Sequence, residues 1–562
     1  MKQFYNLTKT SLLVATALTF SAEVFSQSTF SRVRNILNAN CTTCHDGTTH
    51  TLDFTGSDAQ VHARLVNVLS ENPTAAAKDH KLVDPGYPER SFLLRKINDG
   101  WDDFYEFDAS EGDVMPPASS GYSVTKEEKE LVRQWIMNGA PETGNIVNVQ
   151  RINDYYNLNG MAKMPAPAAP PQGEGFQIRL GTFYLAPGQE IEYYKKHDLK
   201  IPDSLEVNRI DLIFNQESHH FILFKFDPGA EASFPEGLRP VNVTNVFPSE
   251  TTYLGAWTRP DSIILPPNTA YYWEPNTVLD LNYHILNYSQ DSILAADAYV
   301  NVYTQPVGTA KDEMKSKIQI YPPAQLIIPS AQTLTTLGQN PEITFQESVY
   351  RPNSNKQMNI WMLSTHTHQY GTSYNIYKRN PDGSKGEKIY NGFYNTDYTF
   401  LQGFYDWEHP PNRYFDPLEP VLESRGLIHE AKFLNTRNSL IPVTFGLTTQ
   451  DEMMLYYIKY VETEADFTSV EQDLANFIDL EIYPNPYKEQ TFINYNLEND
   501  GDVRIDIYDM MGKHVANLAD NKQTAGQYRI PFSAAERGLS SGVYVMNMNI
   551  NGIIISKKII EL

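Results

Sequence analysis

Hydrophobic positions divide the chain into three regimes. Over residues 28–140 they fall at helical spacing: Leu131, Val132, Trp135 and Ile136 follow the capping box Thr125-Lys126-Glu127-Glu128, and Gly139 ends the helix. From 173 to 465 the apolar runs are short and strand-like, as at 176–183, 209–214, 220–226 and 298–303, and Pro, Gly, Asn and Asp break them. Antiparallel sandwiches or jelly rolls are predicted there. Residues 480–562 alternate apolar and polar positions at 491–495, 503–508 and 542–545 between Gly and Asn turns, which predicts a small β-sandwich. The expected fold is multidomain and mainly β, with one all-α domain at its N-terminal side.

Two further segments set boundaries. Lys2 and Lys9 flank and precede the apolar run 12–20, and Val24-Phe25-Ser26 follows. This reads as a secretory signal peptide over 1–26, too short in its apolar part to span a bilayer. The Pro/Ala run 164–171 marks a linker over 141–172. No other run is long enough for a membrane span, so an exported mature chain without one is expected. The net charge of −23 excludes a basic nucleic-acid footprint. The 35 Tyr and 27 Phe favour β modules over disorder.

Only two cysteines exist, and both lie in Cys41-Thr42-Thr43-Cys44-His45. CxxCH is the attachment signature of haem c, with two thioethers and an axial His45. A redox CxxC or half of a zinc site is the alternative, but no second cysteine pair is present. Met115, on the Pro116-Pro117 turn, is the candidate sixth ligand, and His50, His62 and His80 are its rivals. The MPP turn and the following LVRQWIMNGAP helix resemble the closing part of small bacterial cytochrome c domains, over 28–140.

Five imidazoles and one thioether stand beside strand-like runs farther on: His219-His220, His284, His366 and His368, and Met453. His366 and His368, two apart on a strand, share a face. His219 and His220 are adjacent, so both reach one ion only at a strand end or bulge. Imidazole with thioether suits copper, whereas zinc more often recruits Cys, Asp or Glu. Any one of these residues alone would read as a core His or a packing Met. His197, His409, His429 and His514 read as surface or structural.

The order HH, NYH, HTH, DEM resembles the copper type II, ascorbate-dependent monooxygenases, the peptidylglycine α-hydroxylating and dopamine β-monooxygenase-like enzymes, over 175–462. The resemblance implies two copper ions on two jelly-roll subdomains, 173–325 and 326–465, facing a solvent cleft. His219, His220 and His284 match the copper that stores and passes an electron. His366, His368 and Met453 match the copper where O2 binds, and Tyr457 matches a substrate-side tyrosine. The activity implied is hydroxylation of a C–H bond in a small organic or peptide-like substrate, fed by an external electron donor. This chain departs in two ways: it has no disulfides in this region, and Ser364 stands where the peptidylglycine enzymes carry an Arg that clamps a substrate carboxylate. A glycine-extended peptide is therefore not expected. Joining haem and copper on one chain suggests that the haem relays electrons. A non-catalytic haem or copper electron-transfer protein is the other reading; a purely adhesive multi-sandwich leaves CxxCH unexplained.

The segment Ile482-Tyr483-Pro484-Asn485-Pro486, with Asp509-Met510-Met511-Gly512-Lys513 and a near-terminal Lys557-Lys558, resembles the C-terminal sorting domain of the type IX secretion system, over 480–562. That implies an encounter with the secretion machinery and delivery across the outer membrane, to the cell surface or medium. A carbohydrate-binding or adhesion sandwich is the alternative, without an obvious aromatic platform.

Overall fold

The computed structural model describes residues 27–105, 109–215, 218–241, 250–352, 354–393, 405–437, 439–446, 448–465, 480–497, 500–550 and 553–562. The expected signal peptide lies outside the described residues. The chain is mainly β, built from several sheets, with most helices before residue 160.

Local sequence explains those helices. Thr29–Asn40 is capped by the Ser28 hydroxyl, which accepts from the Ser31 N–H. Asp58–Leu65 and Lys126–Met137 each start with a full capping box, Ser57 with Gln60 and Thr125 with Glu128. Their apolar faces meet in one core that includes Phe30, Leu65, Leu94, Val132, Trp135 and Ile136. The expected linker is only partly irregular. Asn148 caps the helix Val149–Asp154, which buries Ile152, and the Pro/Ala run beyond it carries no regular structure.

The next unit has two facing sheets. One orders Leu238–Pro240, Glu190–Asp198, Val278–Leu286, Ser218–Phe226 and Thr251–Trp257. The other begins Gly175–Leu185, Leu294–Gln305, Leu205–Phe214 and Thr269–Trp273. Leu180, Leu212, Phe221, Leu281, Tyr283 and Val300 are among the side chains that fill the space between them. The third unit pairs Asp312–Ile320, Leu455–Glu464, Lys356–His366 and Arg413–Leu422 against a sheet of Ile343–Val349, Leu427–Phe433, Gly371–Arg379 and Lys385–Asn391. The strand Asp312–Ile320 precedes the expected boundary at 325/326, yet pairs over Met314–Ile320 with Leu455–Val461 of the third unit.

These two units are joined. Thr269 and Ala270 pair in parallel with Asp312 and Glu313. A mixed apolar cluster unites Tyr194, Ile222 and Tyr253 of one with Met453, Leu455 and Tyr457 of the other. Lys459, fully buried, donates across the seam to the Tyr271 hydroxyl at 2.8 Å and to the Leu254 carbonyl. Burial holds its amine down at about 7.

The helical module docks on the first of these β units. Arg179 is 6% exposed; it reaches Asp102 of the module at 2.8 Å and Asp297 at 3.0 Å. Thr182's carbonyl accepts from Arg133 at 2.7 Å and from Gln134 at 2.6 Å. On another side Arg90 donates to the Asp198 carbonyl at 2.9 Å. The C-terminal unit packs a three-stranded sheet on a four-stranded one around Ile493, Tyr495, Ile505, Met546 and Ile559. Among the described residues no helix is long and apolar enough to cross a membrane.

Arg179→Ala takes the guanidinium from buried Asp297 and leaves it only the Thr182 hydroxyl at 2.9 Å and Lys163 at 3.7 Å, which costs about 3 kcal/mol. Denaturant titration followed separately by helical and β signals is expected to resolve two transitions where the parent shows one. A single, unshifted transition would contradict this docking.

Candidate metal centres

The two histidine groups come to one place. His219, His220, His284, His366, His368, Met453, Tyr457 and Ser364 all line a single cleft of about 280 Å³. It opens where the two β units meet.

The first group sits on the central strands of one sheet. His220 pairs in register with His284 on the neighbouring strand, and the register slips between Ser218 and His220. That slip resolves the geometric problem of adjacent histidines, because it turns both rings to the same face. The three rings stand 4.8–5.3 Å apart by centroid, with one nitrogen from each lying within 4.8 Å of the others. Glu190 accepts from His284 Nε2 at 2.6 Å. The other nitrogen, Nδ1, is buried without a protein partner and supplies a donor that a metal would satisfy. His220 Nε2 meets Asn282 at 3.1 Å and Glu192 at 3.3 Å, and Asn282 also donates to Glu192 at 2.9 Å. Burial and the neighbouring imidazoles push His219 down to about 3, so it stays neutral and able to coordinate.

The second group is held by a buried carboxylate. Glu452 is 0% exposed and accepts backbone N–H bonds from His368 at 2.8 Å, Tyr370 at 2.7 Å and Met453 at 3.0 Å. It ties the end of the HTH strand to the methionine. Burial raises Glu452 to about 7, against the pull of those N–H groups. His366 and His368 cross edge to face at 5.1 Å. His368 Nδ1 faces the Asp451 carbonyl at 3.3 Å, which leaves Nε2 for the cleft. Burial lowers His366 well below the usual imidazole value and His368 to about 4. Met453 is 6% exposed and packs with Leu455 and Tyr457, yet lines the cleft. Tyr457 lies on Tyr253 with centroids 4.9 Å apart. Ser364 donates to the Pro411 carbonyl at 3.3 Å.

A separate apolar pocket of about 150 Å³ in the helical module is lined by Cys41, Cys44, His45 and Met115, with Leu52, Phe54, Leu65, Leu82 and Phe92 among its walls. His45 Nδ1 faces the Leu52 carbonyl at 3.3 Å, leaving Nε2. Two thiols, one imidazole and one thioether around an apolar slot are the donor set of a covalent haem. The rivals to Met115 do not line the pocket: His62 is bonded to the Ala140 carbonyl at 2.8 Å, His80 is 3.9 Å from Glu111, and His50 stacks on His45 with centroids 5.0 Å apart.

Of the histidines read as structural, His429 is buried between Tyr374 and Glu347, at 2.7 and 2.8 Å. His197 is buried under Tyr87, and His514 meets Asp506 at 2.8 Å. His409 is exposed but lines the cleft mouth. Sequence reasoning missed Glu190, Glu192, Asn282 and Glu452. The signal for the first two was present as Glu190-Ile191-Glu192, two carboxylates on one strand face.

Comparison with known proteins covers the end of the chain. Residues 481–561 match the secretion system C-terminal sorting domain. This tail marks the chain for type IX secretion to the outer membrane or cell surface. No curated protein matches the chain. Among solved structures, the major capsid protein P2 of bacteriophage PM2 is 9% identical, with 52% of this chain and 99% of that one covered and a TM-score of 0.23. The adhesin domain of Epf from Streptococcus pyogenes is 8% identical over 39% of this chain and 70% of that one, with a TM-score of 0.16. The β-glucuronidase of Parabacteroides merdae is 8% identical over 39% and 26%, with a TM-score of 0.13. Scores this low carry no argument about fold or activity.

Two outcomes are expected. Glu452→Ala frees three backbone N–H groups and, in chelator competition with added copper as the probe, is expected to weaken uptake at the His366/His368/Met453 group by about 10–100-fold, with the three-histidine group unchanged. Equal loss at both groups would contradict the role of Glu452. Separately, the folded-state values of His219, His366 and His368 are depressed, so their contribution to stability is present above the unfolded imidazole value of about 6.5. It is lost as pH falls toward 4 and 3. The metal-free protein's denaturation midpoint is expected to fall across that window, and less so in a His219→Ala/His368→Ala variant. Identical pH profiles would contradict the assignment.

Proposed function

We propose that this chain is an exported copper-dependent monooxygenase that hydroxylates an aliphatic or benzylic C–H bond with O2, supplied with electrons through its own haem c. In this reading residues 28–140 form an all-α cytochrome c-like domain and the two central units are copper-binding jelly rolls. The observation that carries it is the convergence on one cleft of five imidazoles and a thioether from four separate stretches of sequence. Their donor chemistry suits copper. One group is all imidazole, backed by Glu190 and Glu192, and suits an electron-storing ion. The other has a soft sulfur donor and a neighbouring tyrosine wall, and suits the ion at which O2 and substrate meet.

When bound, copper supplies the one-electron chemistry of oxygen activation. The protein's own groups do the rest. Glu452 fixes the spacing of His368 and Met453 through their backbones. Burial keeps His366 and His368 neutral, as coordination requires. Tyr457, Tyr253, Trp407 and Tyr414 give the substrate side an aromatic lining. Ser364 is already engaged with a backbone carbonyl and offers no cation at that position; the guanidinium that lines the cleft is Arg259, so a substrate carboxylate would have to be met from there.

Met453→Ala is the discriminating variant. With copper and reductant present, the parent is expected to incorporate label from 18O2 into members of a panel of small aromatic and peptide-like compounds. The variant is expected to incorporate none, while retaining the three-histidine copper. Equal incorporation by both would remove Met453 from the chemistry. A parent that binds both coppers, oxidises its haem and yields no labelled product would favour a pure electron-transfer protein.

A further inference from the structure

We propose that one run of hydrogen bonds, part-buried at Asp102 and buried beyond Arg179, from Asn98 beside the haem pocket to Ser218 beside the three-histidine group, is the route by which an electron passes between the two redox centres of this chain. The proposal rests on the function argued above and adds the residues that carry the transfer.

The run can be followed joint by joint. Ile97 lines the apolar pocket that holds Cys41, Cys44, His45 and Met115. Asn98, the next residue, is 2% exposed; its Nδ2 donates to the Asp102 carbonyl and its Oδ1 accepts from the Asp102 N–H, each at 3.0 Å. Arg179 Nη1 meets the Asp102 carboxylate at 2.8 Å, and Arg179 Nε meets Asp297 at 3.0 Å. The Tyr283 hydroxyl donates to the Asp297 carbonyl at 3.3 Å and lies 2.7 Å from the Ser218 hydroxyl. Ser218 is covalently joined to His219, and Tyr283 to His284. Between Asn98 and Ser218 the longest gap is therefore the 3.3 Å hydrogen bond.

Electron tunnelling weakens steeply through empty space and far less through bonds, so a continuous bonded path between fixed partners governs its rate. Both conditions are met here. Asp297 and Tyr283 are 0% exposed, so water does not replace either joint. The helical module is held against the β unit by Arg179, Arg133 and Gln134. Arg179 also lies 5.6 Å from the ring centroids of Phe104, Tyr105 and Tyr299, which crowd the crossing point with polarisable groups. Docking accounts for Arg179 but not for the last joint. The Tyr283–Ser218 bond lies wholly inside the β unit and links the two positions immediately before two ligands.

The step balances with a single electron. It leaves the ferrous haem, which becomes ferric, and reaches Cu(II) at the three-histidine group, which becomes Cu(I). No bond breaks and no proton is transferred.

The test uses the full holoprotein, without O2 or substrate, with haem photoreduced while copper is still Cu(II). Haem absorbance reports its re-oxidation, and the loss of the Cu(II) spin-resonance signal reports arrival. Ser218→Ala removes one joint and Tyr283→Phe removes two, and neither removes a ligand; the smaller change, Ser218→Ala, keeps the test available if Tyr283→Phe does not fold. Transfer is expected to slow several-fold in each, with the starting haem and Cu(II) spectra unchanged. Parent-like rates in both variants would overturn the route while leaving the monooxygenase reading intact. A parent haem that never re-oxidises at the expense of Cu(II) would overturn the relay itself. Altered Cu(II) spectra in both variants would also overturn the route, because the hydroxyls would then serve the shape of the copper group.

Discussion

Everything at the cleft depends on the seam between the two central β units. Neither unit carries a full set of donors. One brings His219, His220 and His284, the other His366, His368 and Met453, and the seam sets them face to face. It is made from the Tyr253–Tyr457 contact, the shared apolar cluster, a short parallel pairing and the buried Lys459 amine. These interactions are apolar or low in charge, which suits a contact that must exclude water while leaving an open cleft at its edge. A charged Lys459 in that place would carry a large desolvation cost, and burial lowers its value to about 7 accordingly.

Within each half, carboxylates away from the donors set the geometry. Glu190 and Glu192 orient two imidazoles from one side, and Glu452 gathers three backbone N–H groups on the other. Imidazole ligands need such partners, because the nitrogen not facing the metal otherwise lets the ring turn. The same logic runs outward through Arg179 and its two aspartates, which fix the helical module rather than leaving it on a tether. Charge that would be costly alone is here paired and hydrogen-bonded at each step.

The sequence made some of this legible and hid the rest, for identifiable reasons. The Thr125–Glu128 capping box is a local feature, and the helix starts there. The short broken runs were readable as strands because alternation is local too. His366 and His368 were readable as a pair, but the strand Lys356–His366 ends at the first of them and the second is placed beyond it by its bond to Glu452, not by strand period; adjacent His219 and His220 called for a bulge, which the register slip supplies. Which strand neighbours which is decided by non-local packing. The strand Asp312–Ile320, placed before the expected boundary, therefore pairs with strands on both sides of it, and the helix Val149–Asp154 lies inside the expected linker. Glu452 was quoted within its motif without a role, because its partners are backbone N–H groups 82 and 84 residues away. No single-sequence pattern records such a contact.

The central claim is that two coppers of different donor sets share this cleft. X-ray absorption at the copper edge of the reduced protein, with metal content measured on the same sample, tests it most directly. The account expects two coppers and one iron per chain, nitrogen scattering from both coppers, and one sulfur scatterer that disappears in Met453→Ala. A single copper, or two with no sulfur neighbour in the parent protein, would contradict it.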